Sequence, residues 1–286
     1  KQARLMVLTD NMSQPQALAK ACLDAGFEQS VIRVCERLGY SDEKLSQFFV
    51  ADLMDSDREF DPLHVSYVEV LGVGQHMPEF PGIEDANFHT GQAAGKGMIS
   101  KREVRLAILS YMQASRHDVI WDVGAGCGGV AVELALWQPL AEVYAIEFHP
   151  QRLHYLNQNR EKFGVVKNLK VVEGRAPQVL QTLPKPNKVF IGGSDGELKH
   201  LLEGIWQDLP AGGVLVASGV IESTKSQLSD FAHSLVQQND AASVESVEIS
   251  VKRGEIKHQQ LQYAAKLPVE IFKYTKGYAQ SMKMDG

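Results

Sequence analysis

Apolar positions along the chain switch between a period of two and a period near 3.6, and the switches outline its elements. Residues 4–9, 31–35 and 65–71 are short apolar-rich stretches bounded by turn residues, and each predicts a strand. Between the first two, Leu18, Ala21, Cys22 and Ala25 recur at helical spacing. Ser13 is the expected cap of that helix, Pro15 its first-turn residue and Gly26 its stop. Residues 41–49 open with a capping-type pattern and predict a second helix. Residues 72–97 lose periodicity and carry Pro78 and Pro81, which predicts a linker with a domain boundary near Gly91, dividing the chain into 1–90 and 91–286. Ser100 and Glu103 predict a capping box that opens a helix through Met112. Strands are then expected at 119–123, 143–147, 169–173, 188–192 and 213–218, the first four each followed by a helix. A helix at 224–238 follows the fifth, with Leu228, Phe231 and Leu235 on one face. This alternation predicts a parallel, doubly wound sheet preceded by a small α/β lobe. Residues 243–251 and 260–274 show strand patterns with no helix between them, which predicts an antiparallel pair at the sheet edge.

One junction carries chemistry. The apolar run ending at Asp122 reads as a core strand, and Val130, Leu134 and Trp137 as the following helix, stopped by Pro139. Between them lie Gly124, Gly126 and Gly128, which can adopt backbone angles closed to other residues and let a ligand approach the main chain. The next strand ends in Glu147, about 20 residues on, where nucleotide-binding folds place an acceptor for ribose hydroxyls. These residues leave two ligands open, a nicotinamide dinucleotide and S-adenosylmethionine.

The turn Asp122-x-Gly124-x-Gly126-x-Gly128 resembles motif I of class I methyltransferases, which implies S-adenosylmethionine and a Rossmann-like sheet. Three further motifs fall in order around it: Ser100-Lys101-Arg102-Glu103-Val104-Arg105, Glu173-Gly174-Arg175-Ala176-Pro177 and Phe190-Ile191-Gly192-Gly193-Ser194. Together they resemble the decarboxylating precorrin methyltransferases of cobalamin biosynthesis over residues 91–275. The first region resembles the C-terminal lobe of the tetrapyrrole methylase that precedes this domain in fused enzymes, through Leu8-Thr9-Asp10, Glu36-Arg37-Leu38-Gly39 and Phe60-Asp61-Pro62-Leu63-His64-Val65. Such a methylase holds its cofactor between two lobes, so methylation at C5 is expected to be absent from a chain carrying only one.

The resemblance implies methyl transfer to C15 of a precorrin with loss of carbon dioxide from the C12 acetate. It implies that Gly124, Gly126, Cys127 and Gly128 surround the methionine part of the cofactor, that Asp122 orients the loop or its waters, and that Ser100 belongs to the cofactor site. Glu147 would hold the ribose, and Gly174, Arg175 and Ala176 would lie by the adenine. Many class I methyltransferases have Asp where Arg175 stands. Gly192 would face the transferable methyl, and Gly193 and Ser194 would leave room for a broad macrocycle. Lys101, Arg102 and Arg105 are the cationic candidates for substrate carboxylates. A homo-oligomer, perhaps a tetramer, is implied as well.

Composition narrows the choice. A net charge of -6 argues against broad nucleic-acid binding, which needs a cationic footprint. Cys22, Cys35 and Cys127 form no CxxC pair, so a reduced, cytoplasmic setting is expected. Neither a signal peptide nor an apolar run of the ~18 residues that a membrane helix needs is apparent. None of the nine histidines has metal-ligand spacing, so no metal is expected. The chain opens at Lys1, almost directly in a strand, so a preceding segment is expected. Two other readings compete: an RNA-base methyltransferase of the same fold, opposed by the acidic balance and by Gly192-Gly193, and a non-catalytic cofactor-binding module.

Overall fold

In a computed structural model, residues 3–8, 14–72, 74, 78–93, 95–238 and 241–277 are described, and the chain divides into two compact units, Lys1–Glu79 and Phe80–Gly286. The break falls earlier than Gly91 because Ile83 and Phe88 are buried in the core of the second unit.

The first unit is an antiparallel sheet with two helices. Its elements are β1 (Ala3–Leu8), α1 (Pro15–Asp24), β2 (Val31–Glu36), β3 (Lys44–Phe49), α2 (Val50–Met54) and β4 (His64–Val70). The strand order is β1-β4-β2-β3. Ala19, Val50 and Leu53 of the helices close over Ile32, Val34 and Val68 of the sheet. The expected helix at 41–49 is corrected to a strand. Residues 44–49 pair with β2, Val34 opposite Ser46, and only the next five residues are helical. A cross-strand partner overrode the local capping signal. Ser13, Thr9 and Asp10 lie outside the described residues; Gln14 stands at the N-cap of α1.

The second unit contains α3 (Arg102–Met112), β5 (Val119–Val123), α4 (Gly129–Trp137), β6 (Glu142–Glu147), α5 (Pro150–Lys162), β7 (Leu169–Glu173), β8 (Lys188–Ile191), α6 (Leu198–Asp208), β9 (Val214–Gly219), α7 (Glu222–Gln237), β10 (Ala241–Ile249), β11 (Lys252–Lys257), β12 (Gln260–Ala265) and β13 (Val269–Lys276). Seven strands form one sheet in the order β10-β13-β9-β8-β5-β6-β7. β5 to β9 are parallel, and β13 and β10 add antiparallel to β9 and to each other. Successive residues of β5 serve opposite faces. Ile120 packs with Ile108 and Met112 of α3, whereas Trp121 and Val123 pack with Leu201, Ile205 and Trp206 of α6. Both faces are therefore covered, as a parallel sheet requires.

Two details differ from expectation. The connection after β7 holds only a 3-10 turn, Gln178–Thr182, in place of a full helix. The segment 260–274 is two strands, because β12 leaves the main sheet and pairs with β11 as a separate hairpin. Among the described residues no helix is long and apolar enough to cross a membrane.

The chain runs outward from β5 through β6 to β7, then returns to the other side of β5 with β8. This reversal of strand order leaves a crevice at the carboxyl ends of the strands, where open α/β sheets bind their ligands.

Candidate active site

A crevice of about 550 Å³ opens at that reversal, lined by the ends of β5, β6, β7 and β8. Its floor is the turn after β5. Gly124 has φ 72, and a Cβ there would stand 2.4 Å from the carbonyl oxygen of Gly193 in the turn after β8. The two turns touch through bare backbone, which no larger residue at 124 permits. At Gly126 a Cβ would stand 2.6 Å from the Met98 carbonyl oxygen, so the segment before α3 lies directly over the glycine turn. Cys127 N–H donates to that same oxygen at 3.1 Å.

Glu147 ends β6 with 2% of its surface exposed. Its Oε2 accepts from Gly126 N–H at 2.9 Å, and its Oε1 accepts from Phe148 and His149 N–H, each at 2.9 Å. Arg152 Nη1 lies 3.8 Å from Oε2. The carboxylate is thus held in one orientation by main-chain donors while still lining the crevice. A carboxylate offers about four acceptor positions, so three N–H bonds leave acceptor capacity for a ligand hydroxyl.

Asp122 is the penultimate residue of β5, 1% exposed, and also lines the crevice. Its Oδ2 accepts from Ala131 N–H in the first turn of α4 at 2.9 Å, whereas Oδ1 has no partner. Burial pushes this carboxyl up to about 7; the Ala131 N–H opposes that rise and the nearby Glu147 charge adds to it. A group whose folded pKa lies above its ordinary 3.8 contributes stability that is complete below 3.8 and is lost as pH rises through about 7. Asp122→Asn keeps an acceptor for Ala131 and cannot ionise. Its thermal midpoint is therefore expected to gain on the wild type progressively between about pH 4 and pH 7. A pH-independent difference would remove the shifted carboxyl.

The other expected residues divide into three groups. Ser100, Lys101, Gly174, Arg175, Ala176, Gly192, Gly193 and Ser194 all line the crevice. Gly192 and Gly193 N–H donate to the Val123 carbonyl at 2.9 and 3.3 Å, joining the ends of β8 and β5. Lys101 Nζ donates to the Gly95 carbonyl at 2.9 Å, and burial pushes its amine below the usual lysine range. Arg175 lies over the Phe148 ring, 3.9 Å from its centre, and is ion-paired with Asp195.

Cys127 and Gly128, expected beside the cofactor, are not among the residues that line the crevice. Cys127 is buried, and burial pushes its thiol up, away from thiolate chemistry. Gly128 (φ 86) is the N-cap of α4, and a Cβ there would stand 2.3 Å from Leu156 Cδ1.

Arg105 is the largest correction. It is wholly buried and cannot meet a substrate carboxylate. Its Nε donates to Glu133 Oε1 at 2.5 Å and its Nη1 to Asp85 Oδ1 at 3.1 Å and to the Ser100 carbonyl at 2.5 Å; its Nη2 donates to the Ile83 carbonyl. Phe88 packs under the guanidinium. Arg105 therefore holds Ser100, and through it the crevice wall, from behind. The expected capping box does not form either: Lys101 is the N-cap of α3 and makes no side-chain cap, and Glu103 is taken by Arg253 at 2.6 Å. Arg102 remains at the surface, 3.9 Å from Glu84.

Phe148, Arg152, Met98 and Asp195 also line the crevice and were not expected there. Phe148 had a sequence signal, as the aromatic directly after the strand-ending acid. Met98 and Asp195 had none, since they reach the site through loop geometry. Among the described residues no group of three or more His, Cys, Asp or Glu could hold a metal ion.

A parallel sheet reversing at β5, a bare glycine turn and a pinned acid at the end of β6 are the marks of a Rossmann-like nucleotide-binding fold, the fold of the class I methyltransferases. Within that class the chain belongs to the precorrin methyltransferase domain family, whose profile matches residues 93–276. The precorrin-6Y C(5,15)-methyltransferase [decarboxylating] of Sinorhizobium sp is 35% identical over 231 residues, covering 80% of this chain and 54% of that protein. The chain thus spans about half the length of this relative. A probable cobalt-precorrin-6B C(15)-methyltransferase (decarboxylating) of Pyrobaculum calidifontis is 37% identical over 146 residues, covering 51% of this chain and 73% of its own. The crystal structure of precorrin-6y C5,15-methyltransferase from Geobacter metallireducens superposes with a TM-score of 0.61 at 32% identity, covering 68% of this chain and 98% of that one. The family read from the four sequence motifs is the family these comparisons return.

Proposed function

We propose that the unit from Phe80 onward methylates C15 of a precorrin with S-adenosylmethionine as donor, with loss of carbon dioxide from the C12 acetate. The observation that carries this is the crevice itself. Bare main chain at Gly124 and Gly126, the pinned Glu147 and the unpartnered Asp122 Oδ1 meet in one space, in a chain of the precorrin methyltransferase family. The donor supplies an electrophilic methyl group on a sulfonium.

The residues present fit that donor. Asp122 lines the crevice, and its Oδ1 is a buried acceptor without a partner, which suits an ammonium group. Glu147 suits ribose hydroxyls, and the Phe148 ring suits an aromatic base. Gly193 leaves the far side open: a Cβ there would meet only Gly124, at 3.8 Å. A flat, wide macrocycle can approach there, with Lys101 and Ser194 on its path. Attack by an electron-rich ring carbon needs little acid–base assistance, so alignment and exclusion of water supply the rate.

The same reading carries a homo-oligomer and a cytoplasmic setting. Its test is incubation of the protein with S-adenosylmethionine and the precorrin substrate, followed by mass spectrometry and carbon dioxide detection. The expected result is one added methyl group with release of carbon dioxide. Methylation without release would refute the decarboxylation, and methylation of RNA in place of the precorrin would refute the substrate.

A further inference from the structure

Asp195 follows β8 and Arg175 follows β7, and the order β8-β5-β6-β7 places two strands between them. Three steps of roughly 4.8 Å separate those strand ends, about 14 Å in all. The two side chains nevertheless form an ion pair, Arg175 Nη1 with Asp195 Oδ2. The same guanidinium covers the face of Phe148, which directly follows Glu147. Arg175, Asp195 and Phe148 all line the crevice. The pair therefore arches over the ends of β5 and β6, where Gly124 and Glu147 lie. Asp195 has φ 48 and Gly196 φ 89, and this left-handed reversal belongs to the loop that presents the carboxylate. The partners' side chains are 59% and 51% exposed, so salt screens the pair and it adds little to the fold. Low intrinsic strength is what a latch requires.

We propose that Arg175 and Asp195 form an ionic strap across the crevice that opens each time the nucleoside donor enters or its demethylated product leaves. The pair thereby sets the exchange rate of that ligand. The proposal rests on the reading of the crevice as an S-adenosylmethionine site. It explains why an arginine stands where many class I methyltransferases carry an acid: the cation reaches a carboxylate on the opposite lip and shields the aromatic face beneath it.

The test is surface plasmon resonance with the full chain immobilised and S-adenosylhomocysteine as the probe. Asp195→Asn and Arg175→Gln are each expected to raise association and dissociation rates together, by roughly three- to tenfold, while Kd moves by less than about threefold. Wild-type rates are expected to rise from about 0.1 M to 1 M salt while those of the variants stay flat. The charge-exchanged double variant, Arg175→Asp with Asp195→Arg, is expected to restore slow exchange. Rates equal to wild type in both single variants would overturn the strap. So would faster dissociation alone with Kd weakened in proportion, which would make Arg175 a direct ligand contact. A wild-type chain that binds no S-adenosylhomocysteine would overturn the cofactor reading itself, a result distinct from either.

Discussion

Arg105→Met is expected to destabilise the second unit by about 3–5 kcal/mol, the usual cost of removing one partner from a buried ion pair. Arg105 is wholly buried between Glu133 and Asp85, whose side chains are 0% and 3% exposed. Without it those carboxylates keep other donors, Gly82 N–H for Glu133 at 2.6 Å and Arg253 for Asp85 at 2.9 Å. They lose the one charge placed between them. Methionine fills much of the volume, so the loss is electrostatic and not a cavity. Urea unfolding of the variant checks it, and adding Glu133→Gln is expected to recover part of the loss by removing one orphaned charge. Near-wild-type stability for the single variant would show that the network is dispensable. The crevice is expected to suffer as well, because Arg105 Nη1 holds the Ser100 carbonyl beside it.

Glu147→Ala is expected to lower the affinity for S-adenosylhomocysteine roughly ten- to a hundredfold, since a hydrogen bond to a charged acceptor contributes about 1.5–3 kcal/mol. Part of that loss comes through the protein itself. The carboxylate accepts from Gly126, Phe148 and His149 N–H, so alanine also releases the glycine turn from the end of β6. Glu147→Gln separates the two effects. It retains shape and one carbonyl acceptor but turns an NH2 group toward backbone donors, so its affinity is expected between those of wild type and alanine. Isothermal titration calorimetry measures both variants. Unchanged affinity in the alanine variant would remove Glu147 from the ligand site.

Much of the second unit was legible before any coordinates. Residues 119–123 and 169–173 were placed as strands and are β5 and β7. Both are short runs with abrupt ends; β5 is buried on both faces, whereas β7, at the sheet edge, is only partly covered. The glycine turn and Glu147 were legible for a related reason: close backbone approach demands glycine, and an acid at a strand end is conspicuous. Errors fell where long-range partners decide. Residues 41–49 carried a helix-start signal but found β2 as a partner. Arg105 looked like a surface cation on the first turn of a helix, and its burial depends on Asp85 and Glu133, 20 and 28 residues away. Glu103 looked like half of a cap until Arg253, 150 residues on, took its carboxylate.

Periodicity and residue type determined most of the alternation of strands and helices in the second unit and the nucleotide-type crevice at β5 and β6, and the four motifs carried the resemblance to the family. These rest on local chemistry: which faces must be buried, and where the backbone must be bare. Only the tertiary structure decided which charges face the crevice and which are buried behind it, and that Arg175 meets Asp195 across two intervening strands. A charged side chain reads the same in a sequence whether water or a distant carboxylate neutralises it, and chain folding chooses between the two.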